Sequence, residues 1–152
     1  MRAYLVVIDE TSEARVALLY AARRAARTGG AVELLAVIPP AEFVEWGGVQ
    51  AAMEEEAKLR AEAKVLQAAG AIAEEAGIQP RILVREGEAA KAIADLLKER
   101  EGDFAALVLG AAADGSPGPL VSHFSGAVAG SLPCPLVIVP GALSDDALDR
   151  LA

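Results

Sequence analysis

Small and polar residues follow the apolar runs of this chain and could hold a ligand. Asp9 comes directly after the first apolar run, and Gly110 comes directly after the fourth. A loop rich in Ala, Gly, Ser and Pro then leads to a helix that we expect to begin near Ser122. The free N–H groups and the dipole at the start of a helix attract anions. These local features favour a loop that is merely mobile, and an anion-binding loop at 110–122 is the alternative.

The residue types that most catalytic sites need are scarce. The chain has one histidine, His123, and one cysteine, Cys134. This count excludes an intramolecular disulfide, an all-cysteine metal site and most zinc or catalytic-triad arrangements. His123 lies near Ser122 and Ser125, but no Gly-x-Ser-x-Gly elbow is present, so a polar cover over a cleft is favoured over a Ser–His catalytic pair. We interpret Cys134 as a buried structural thiol and expect a binding module without catalytic residues.

Two other site types can be compared with the sequence. Asp9-Glu10 resembles the acidic pair of two-component receiver domains, which also need Asp, Ser or Thr, and Lys after strands three, four and five. Those positions are Arg85-Glu86, Gly110-Ala111 and Pro140-Gly141, so the receiver interpretation fails. No Gly-x-Gly-x-x-Gly follows the first run, which disfavours a dinucleotide site. Glu54 to Glu56 are consecutive and point in different directions on a helix, so they indicate a solvated face and no metal site.

Length and charge restrict the class of protein. The chain has 152 residues, enough for one domain, and its formal net charge is −8, with 22 acidic and 14 basic residues. Because nucleic acid and anionic lipid bind to basic surfaces, the excess of acid argues against both partners. No apolar run approaches the roughly 18–20 residues that span a bilayer. No signal-peptide pattern is evident at the N-terminus, so we expect a cytoplasmic protein.

Short apolar runs alternate with segments of helical pattern. This alternation predicts a parallel sheet with helices on both faces, in which ligands bind beyond the carboxyl ends of the strands. Asp9, Val37 and Gly110 lie at such ends, and residues 41–50 are expected to be irregular. We expect strands near 4–8, 32–38, 81–85, 104–109 and 136–139, and helices near 12–28, 51–76, 89–101, 122–132 and 144–148.

Five pieces of the chain, in order and at the expected spacing, resemble the universal stress proteins over about residues 2 to 140. The pieces are 5–13, 34–40, 84–93, 104–110 and 133–139. The resemblance implies an α/β fold, a three-layer α/β/α sandwich with a five-stranded parallel sheet of order 3-2-1-4-5, similar to the adenine nucleotide alpha hydrolases. It also implies a homodimer and, in some members, ATP or AMP in a cleft. Residues 1–141 would form this domain, and 142–152 would be a tail with a short helix.

The phosphate-binding pattern of that family is altered here. Its nucleotide-binding members carry Gly-x2-Gly, nine further residues and Gly-Ser/Thr after strand four. Gly110 matches the first glycine, and Ala113 stands where the second belongs. Ser122 and His123 fall on the last two positions, with a spacing one residue short, and Ser125 falls on a further hydroxyl position. The glycines near 115–118 leave a re-routed phosphate loop as an alternative.

The adenine-binding pattern of the family is retained better. Asp9 and Val37 match the positions that face the ribose and the base. The resemblance therefore implies a small binding or signalling module, with ATP or AMP as the candidate ligand and Mg²⁺ bound only through the nucleotide. The alternatives are a slow nucleotide hydrolase or nucleotide-gated switch, and a structural dimer module with an empty cleft.

The fifth strand predicts a self-association surface. In the order 3-2-1-4-5 it lies at a sheet edge, and its segment Leu136 to Val139 is uncharged and apolar. An apolar edge strand that nothing covers tends to pair with another strand. We therefore expect a homodimer around 135–141. The tail, with Leu143, Leu148 and Leu151 on one helical face, would cover this contact or its own sheet.

Overall fold

The computed structural model describes residues 2–9, 11–39 and 47–152, so the predicted irregular segment lies largely outside the described residues. Strands and helices alternate along the chain as expected from the sequence. The strands are β1 (Ala3–Val7), β2 (Ala31–Ile38), β3 (Arg81–Glu86), β4 (Phe104–Ala111) and β5 (Leu136–Pro140). The helices are α1 (Ser12–Thr28), α2 (Gly47–Ala76), α3 (Ala89–Glu99), α4 (Pro119–Phe124) and α5 (Asp145–Leu151), and a 3-10 turn covers Ala129–Ser131.

The five strands form one parallel sheet in the order β3-β2-β1-β4-β5. One apolar cluster lies on the face covered by α1, α2 and α5, and it includes Leu18, Val65 and Leu148. A second cluster lies on the face covered by α3 and α4, and it includes Ile93 and Phe124. The predicted three-layer α/β/α fold and strand order are therefore confirmed.

Helix α1 begins and ends where the sequence predicts. The Thr11 hydroxyl caps its start by accepting a hydrogen bond from the Ala14 N–H at 3.3 Å. Gly29 ends the helix with a φ of 72°, a conformation that glycine adopts without steric cost. The buried face of α1 is largely alanine, so the helix can lie close to the sheet. These caps fix the direction in which the chain leaves β1, next to Asp9.

Two helix starts differ from the prediction. Helix α2 begins at Gly47 rather than near residue 51, so the glycine pair at 47–48 lies inside the helix. Helix α4 covers Pro119–Phe124 and not 122–132, and it begins with proline at its first position after Gly118. Proline is favoured there because the first N–H of a helix has no partner within the helix. Ser122 is therefore inside α4 and is not its start.

The C-terminal helix packs against α1. Ser144 caps α5 through the Ala147 N–H at 3.1 Å. Arg23 donates to the backbone oxygen of Asp145 at 2.9 Å. Leu148 is fully buried in the cluster shared with α1, whereas Leu151 is 61% exposed. The tail therefore covers its own sheet through Leu148, and the predicted apolar face does not include Leu151.

A buried ion pair lies toward the amino end of β2. Glu33 is 2% exposed, and its carboxylate accepts hydrogen bonds from Arg100 at 2.6 and 2.8 Å. Arg100 also stacks over the ring of Phe104, 4.7 Å from its centroid. The hydrogen bonds to Glu33 raise the pKa of Arg100 further above its ordinary value. A charge inside an apolar strand is stable only when it is paired in this way.

Among the described residues, no helix is long and apolar enough to cross a membrane.

Candidate functional site

Asp9 lies just beyond the carboxyl end of β1 and is exposed. Its Oδ1 accepts hydrogen bonds from the Thr11 N–H at 2.9 Å and from the Thr11 hydroxyl at 2.5 Å. These bonds orient the carboxylate and connect it to the cap of α1. Its Oδ2 has no hydrogen-bond partner among the residues that the structure describes. The second oxygen can therefore accept a hydrogen bond from a ligand.

Asp9 borders a first cavity, which we call the loop-side cleft. Its walls are the ends of β1 and β4, the first turn of α1 and residues 117–121. The volume is about 70 Å³. Pockets for small organic ligands usually measure about 300–1,000 Å³. The loop-side cleft brings Asp9 and Gly110 together but has little room for a ligand.

Gly110 is required by packing within the fold. A Cβ built on Gly110 would lie 2.5 Å from the carbonyl carbon of Glu13 and would overlap the carbonyl oxygen of Glu13. Gly141 is similarly close, since a Cβ there would lie 2.6 Å from the backbone oxygen of Ala111. The first turn of α1 therefore sits directly on the end of β4. This contact explains the glycine at 110 without a ligand.

The loop after β4 has a compact backbone. The Ala112 N–H donates to the Pro117 carbonyl at 3.0 Å and closes the segment between them. Positive φ angles occur at Gly115 (72°) and Gly118 (114°), and no residue other than glycine has one in the described chain. Ala113 is exposed and has no left-handed backbone. An alanine at 113 is thus compatible with the loop as it folds here.

The N–H groups around Ser122 are used inside α4. The Ser122 N–H donates to the Gly118 oxygen, and the Ser125 N–H donates to the Val121 oxygen, both at 3.0 Å. The Ser125 hydroxyl also donates to the Val121 oxygen, at 2.6 Å. The predicted helix start at Ser122, with free N–H groups for an anion, is therefore wrong, because α4 begins three residues earlier.

His123 lines a different cavity, on the α3 face. This cavity measures about 530 Å³ and also contains Lys98 and Glu101. The His123 ring meets the ring of Phe124 edge-on, with centroids 4.9 Å apart. Asp9 is not part of the lining of this cavity.

Asp9 also borders a larger cavity on the α2 face of the sheet, which we call the helix-side cleft. Its volume is about 320 Å³. Val37 lines it together with Asp9, so the structure brings these two predicted residues to one site. The complete lining is Ile8, Asp9, Ala36, Val37, Ile38, Pro39, Ala57, Arg60, Ala61 and Lys64. A neighbouring cavity of about 490 Å³ shares Ile8, Asp9 and Lys64 and extends the cleft along α1.

Two cations of the helix-side cleft were not singled out in the sequence. Arg60 and Lys64 are one turn apart on α2, and Ala57 and Ala61 lie on the same face. Residues at this spacing share one side of a helix. In the sequence these residues form a face of small and basic side chains within a helix that is otherwise rich in glutamate. This pattern indicates a binding surface only because the face lies over the ends of β1 and β2.

Cys134 is partly buried rather than fully buried. Burial raises the pKa of its thiol, and a backbone hydrogen bond with Leu107 opposes this effect. A thiol with a raised pKa is a poor nucleophile at neutral pH. The structural interpretation of Cys134 is consistent with this environment.

Comparisons with known proteins agree with the fold. The model of the Universal stress protein family matches residues 1–140. The solved structure of universal stress protein UspA from Lactobacillus plantarum is 20% identical, with a TM-score of 0.73 over 91% of this chain and 97% of that chain. A search of curated proteins found no significant match. The chain belongs to the universal stress protein family.

Two further similar structures were determined with nucleotides. The universal stress protein from Archaeoglobus fulgidus in complex with dAMP is 20% identical, with a TM-score of 0.63 over 91% of this chain and 98% of that chain. A universal stress protein in complex with cAMP is 17% identical, with a TM-score of 0.58 over 91% of this chain and 96% of that chain. At these identities the matches show a shared fold.

Proposed function

We propose that this protein is a small binding or signalling module that takes an adenine nucleotide in the helix-side cleft. The observation that carries the proposal is that Asp9 and Val37 line one cavity of about 320 Å³. Val37 and Ile8 offer an apolar wall for the base, and the Oδ2 atom of Asp9 offers an acceptor for a ribose hydroxyl. The dAMP and cAMP complexes of two proteins of the same fold support this choice of ligand.

Calorimetry on an Asp9→Asn variant tests the proposal. Asparagine keeps one oxygen to accept the hydrogen bonds from Thr11 but replaces the other acceptor oxygen by an NH₂ group. We expect a loss of about 1–3 kcal/mol in the binding free energy of AMP or ATP, the usual size for a hydrogen bond to a charged group. Asp146→Asn, an exposed carboxylate on α5, is the matched control. An unchanged affinity in Asp9→Asn would remove Asp9 from the site.

Native mass spectrometry of freshly purified protein separates the proposal from its alternatives. Co-purified AMP or ATP supports a nucleotide-binding module, and conversion of the bound ATP to ADP over hours would identify a slow hydrolase. Protein that is empty and shows no thermal shift with nucleotide and Mg²⁺ would instead be a structural module.

We also propose that the protein is a cytoplasmic homodimer joined through β5. This strand pairs with β4 on one side only, and Ile138 is 40% exposed. Residues 142–152 would then be a tail added to the domain of residues 1–141, with α5 held on α1 and leaving the edge of β5 accessible.

A further inference from the structure

The loop after β4 is poorly suited to hold a phosphate. Its cleft has a volume of about 70 Å³. Pro117 and Pro119 have no N–H, and the N–H groups of Ala112 and Ser122 are bonded within the chain. The loop also carries Asp114, an exposed carboxylate that would repel an anion. Each of these features lowers the affinity of the loop for phosphate.

The helix-side cleft contains two cations in addition to the carboxylate of Asp9. Arg60 and Lys64 line it on successive turns of α2. Arg60 forms no ion pair with the described residues, whereas Lys64 already takes part in an interaction within the chain. Ala57 and Ala61 have short side chains, so they leave space in front of the two cations.

We propose that Arg60 and Lys64 bind the phosphate of the nucleotide, so that the phosphate lies against α2 and not in the loop after β4. The inference rests on the proposed function. It assigns the phosphate to residues outside the glycine-rich loop after β4, where the family's phosphate-binding pattern lies. The guanidinium of Arg60 can donate two hydrogen bonds to phosphate oxygens, and Lys64 adds a second positive charge. Two adjacent cations suit a single phosphate group, and the carboxylate of Asp9 in the same lining disfavours a longer and more highly charged chain, so the ligand class is a nucleoside 5′-monophosphate.

The test compares AMP with adenosine, which lacks the phosphate, by calorimetry at one fixed salt concentration. In the wild type we expect AMP to bind at least about ten-fold more tightly than adenosine. Arg60→Gln and Lys64→Gln should each reduce the affinity for AMP by about five- to ten-fold and leave that for adenosine unchanged. Lys58→Gln, an exposed lysine of α2 outside the cleft lining, is the matched control and should bind both ligands like the wild type.

A second variant examines the loop directly. If the phosphate lay in the loop, Asp114→Asn would strengthen AMP binding by removing a repulsive charge, whereas we expect no change. Unchanged AMP binding in Arg60→Gln and Lys64→Gln would overturn the inference, and a gain in Asp114→Asn would place the phosphate in the loop instead. Adenosine binding without any preference for AMP would also overturn it and leave the proposed function standing. Failure of both ligands to bind would refute both.

Discussion

The carboxylate of Glu33 and the guanidinium of Arg100 are joined by two parallel hydrogen bonds of 2.6 and 2.8 Å, although 67 positions separate them in the chain. Glu33 is in the second strand of the sheet, and Arg100 is the residue that ends α3. The pair therefore ties the end of a helix on one face to the interior of the sheet. A second cation, Arg81, lies 3.8 Å from the same carboxylate.

Removing Arg100 should destabilise the fold. The Arg100→Ala variant leaves Glu33 buried without its main partner, and we expect the free energy of unfolding to fall by about 2–4 kcal/mol. The partial exposure of Arg100 and the nearby Arg81 keep the loss below that of a fully enclosed pair. Urea denaturation measures the change. The control variant Lys91→Ala breaks the exposed ion pair with Asp95 and should lower the free energy of unfolding by less than about 1 kcal/mol. Equal losses in the two variants would show that the buried pair of Glu33 and Arg100 contributes no more than an exposed one.

Acid should weaken the start of α3. The carboxylate of Glu88 accepts hydrogen bonds from the N–H groups of Lys91 and Ala90, and these bonds lower the pKa of Glu88. Because this pKa is lower in the folded chain, the contribution to stability is present above the ordinary value for glutamate, about 4.3, and is lost as pH falls through the folded value. The stability difference between wild type and Glu88→Gln should therefore shrink between about pH 5 and pH 2.

Chemical denaturation across that pH range checks this prediction. Glu86→Gln changes an exposed glutamate at the end of β3 and is the control. A difference between wild type and Glu88→Gln that stays constant down to the lowest pH would show that the negative charge of Glu88 makes no contribution to stability.

Disrupting the edge of β5 should separate the proposed dimer. Ile138→Lys places a charge on the exposed edge, and we expect a monomer or insoluble protein by analytical sedimentation. Ile82→Lys is the matched control, since Ile82 is 37% exposed on β3, the opposite edge of the sheet. It should remain dimeric. A wild type that sediments as a monomer at tens of micromolar would refute the dimer.

Two glycine substitutions should have opposite effects on stability. Gly110→Ala forces a Cβ into the backbone of Glu13, so we expect a loss of about 1–3 kcal/mol or more. Gly70→Ala adds a Cβ in open space within α2 and should stabilise the protein by about 0.5–1 kcal/mol. Thermal unfolding of both variants measures the contrast, and an unchanged stability of Gly110→Ala would show that α1 can move away from β4.

Most of the fold could be predicted from local patterns. The apolar runs marked the five strands, and Thr11 and Gly29 marked the ends of α1, because caps and turns depend on neighbouring residues. Local signals do not give the start of α4, because Ser122 is a common capping residue and Gly118 followed by Pro119 is equally typical of a loop. The same local preference for glycine in turns led to a late start for α2 at residue 51.

The candidate site could be predicted only in part. Asp9 and Val37 end neighbouring strands, so strand order alone brings them together. Arg60 and Lys64 belong to a helix whose charges are mostly solvated, and only the packing of α2 on the sheet directs these two toward Asp9. The pairing of Glu33 with Arg100 could not be predicted either, since no local pattern joins residues so far apart in the chain.

The contact between Gly110 and Glu13 means that a glycine after β4 is weak evidence for phosphate binding in a chain of this fold. The position that best fits a phosphate-binding pattern here is one that the packing of α1 on β4 reserves for glycine. A chain that had lost every affinity for nucleotides would still be more stable with glycine at this position. Ligand assignments from sequence should therefore give little weight to the first glycine of such a pattern and more to the charged side chains that line the cavity.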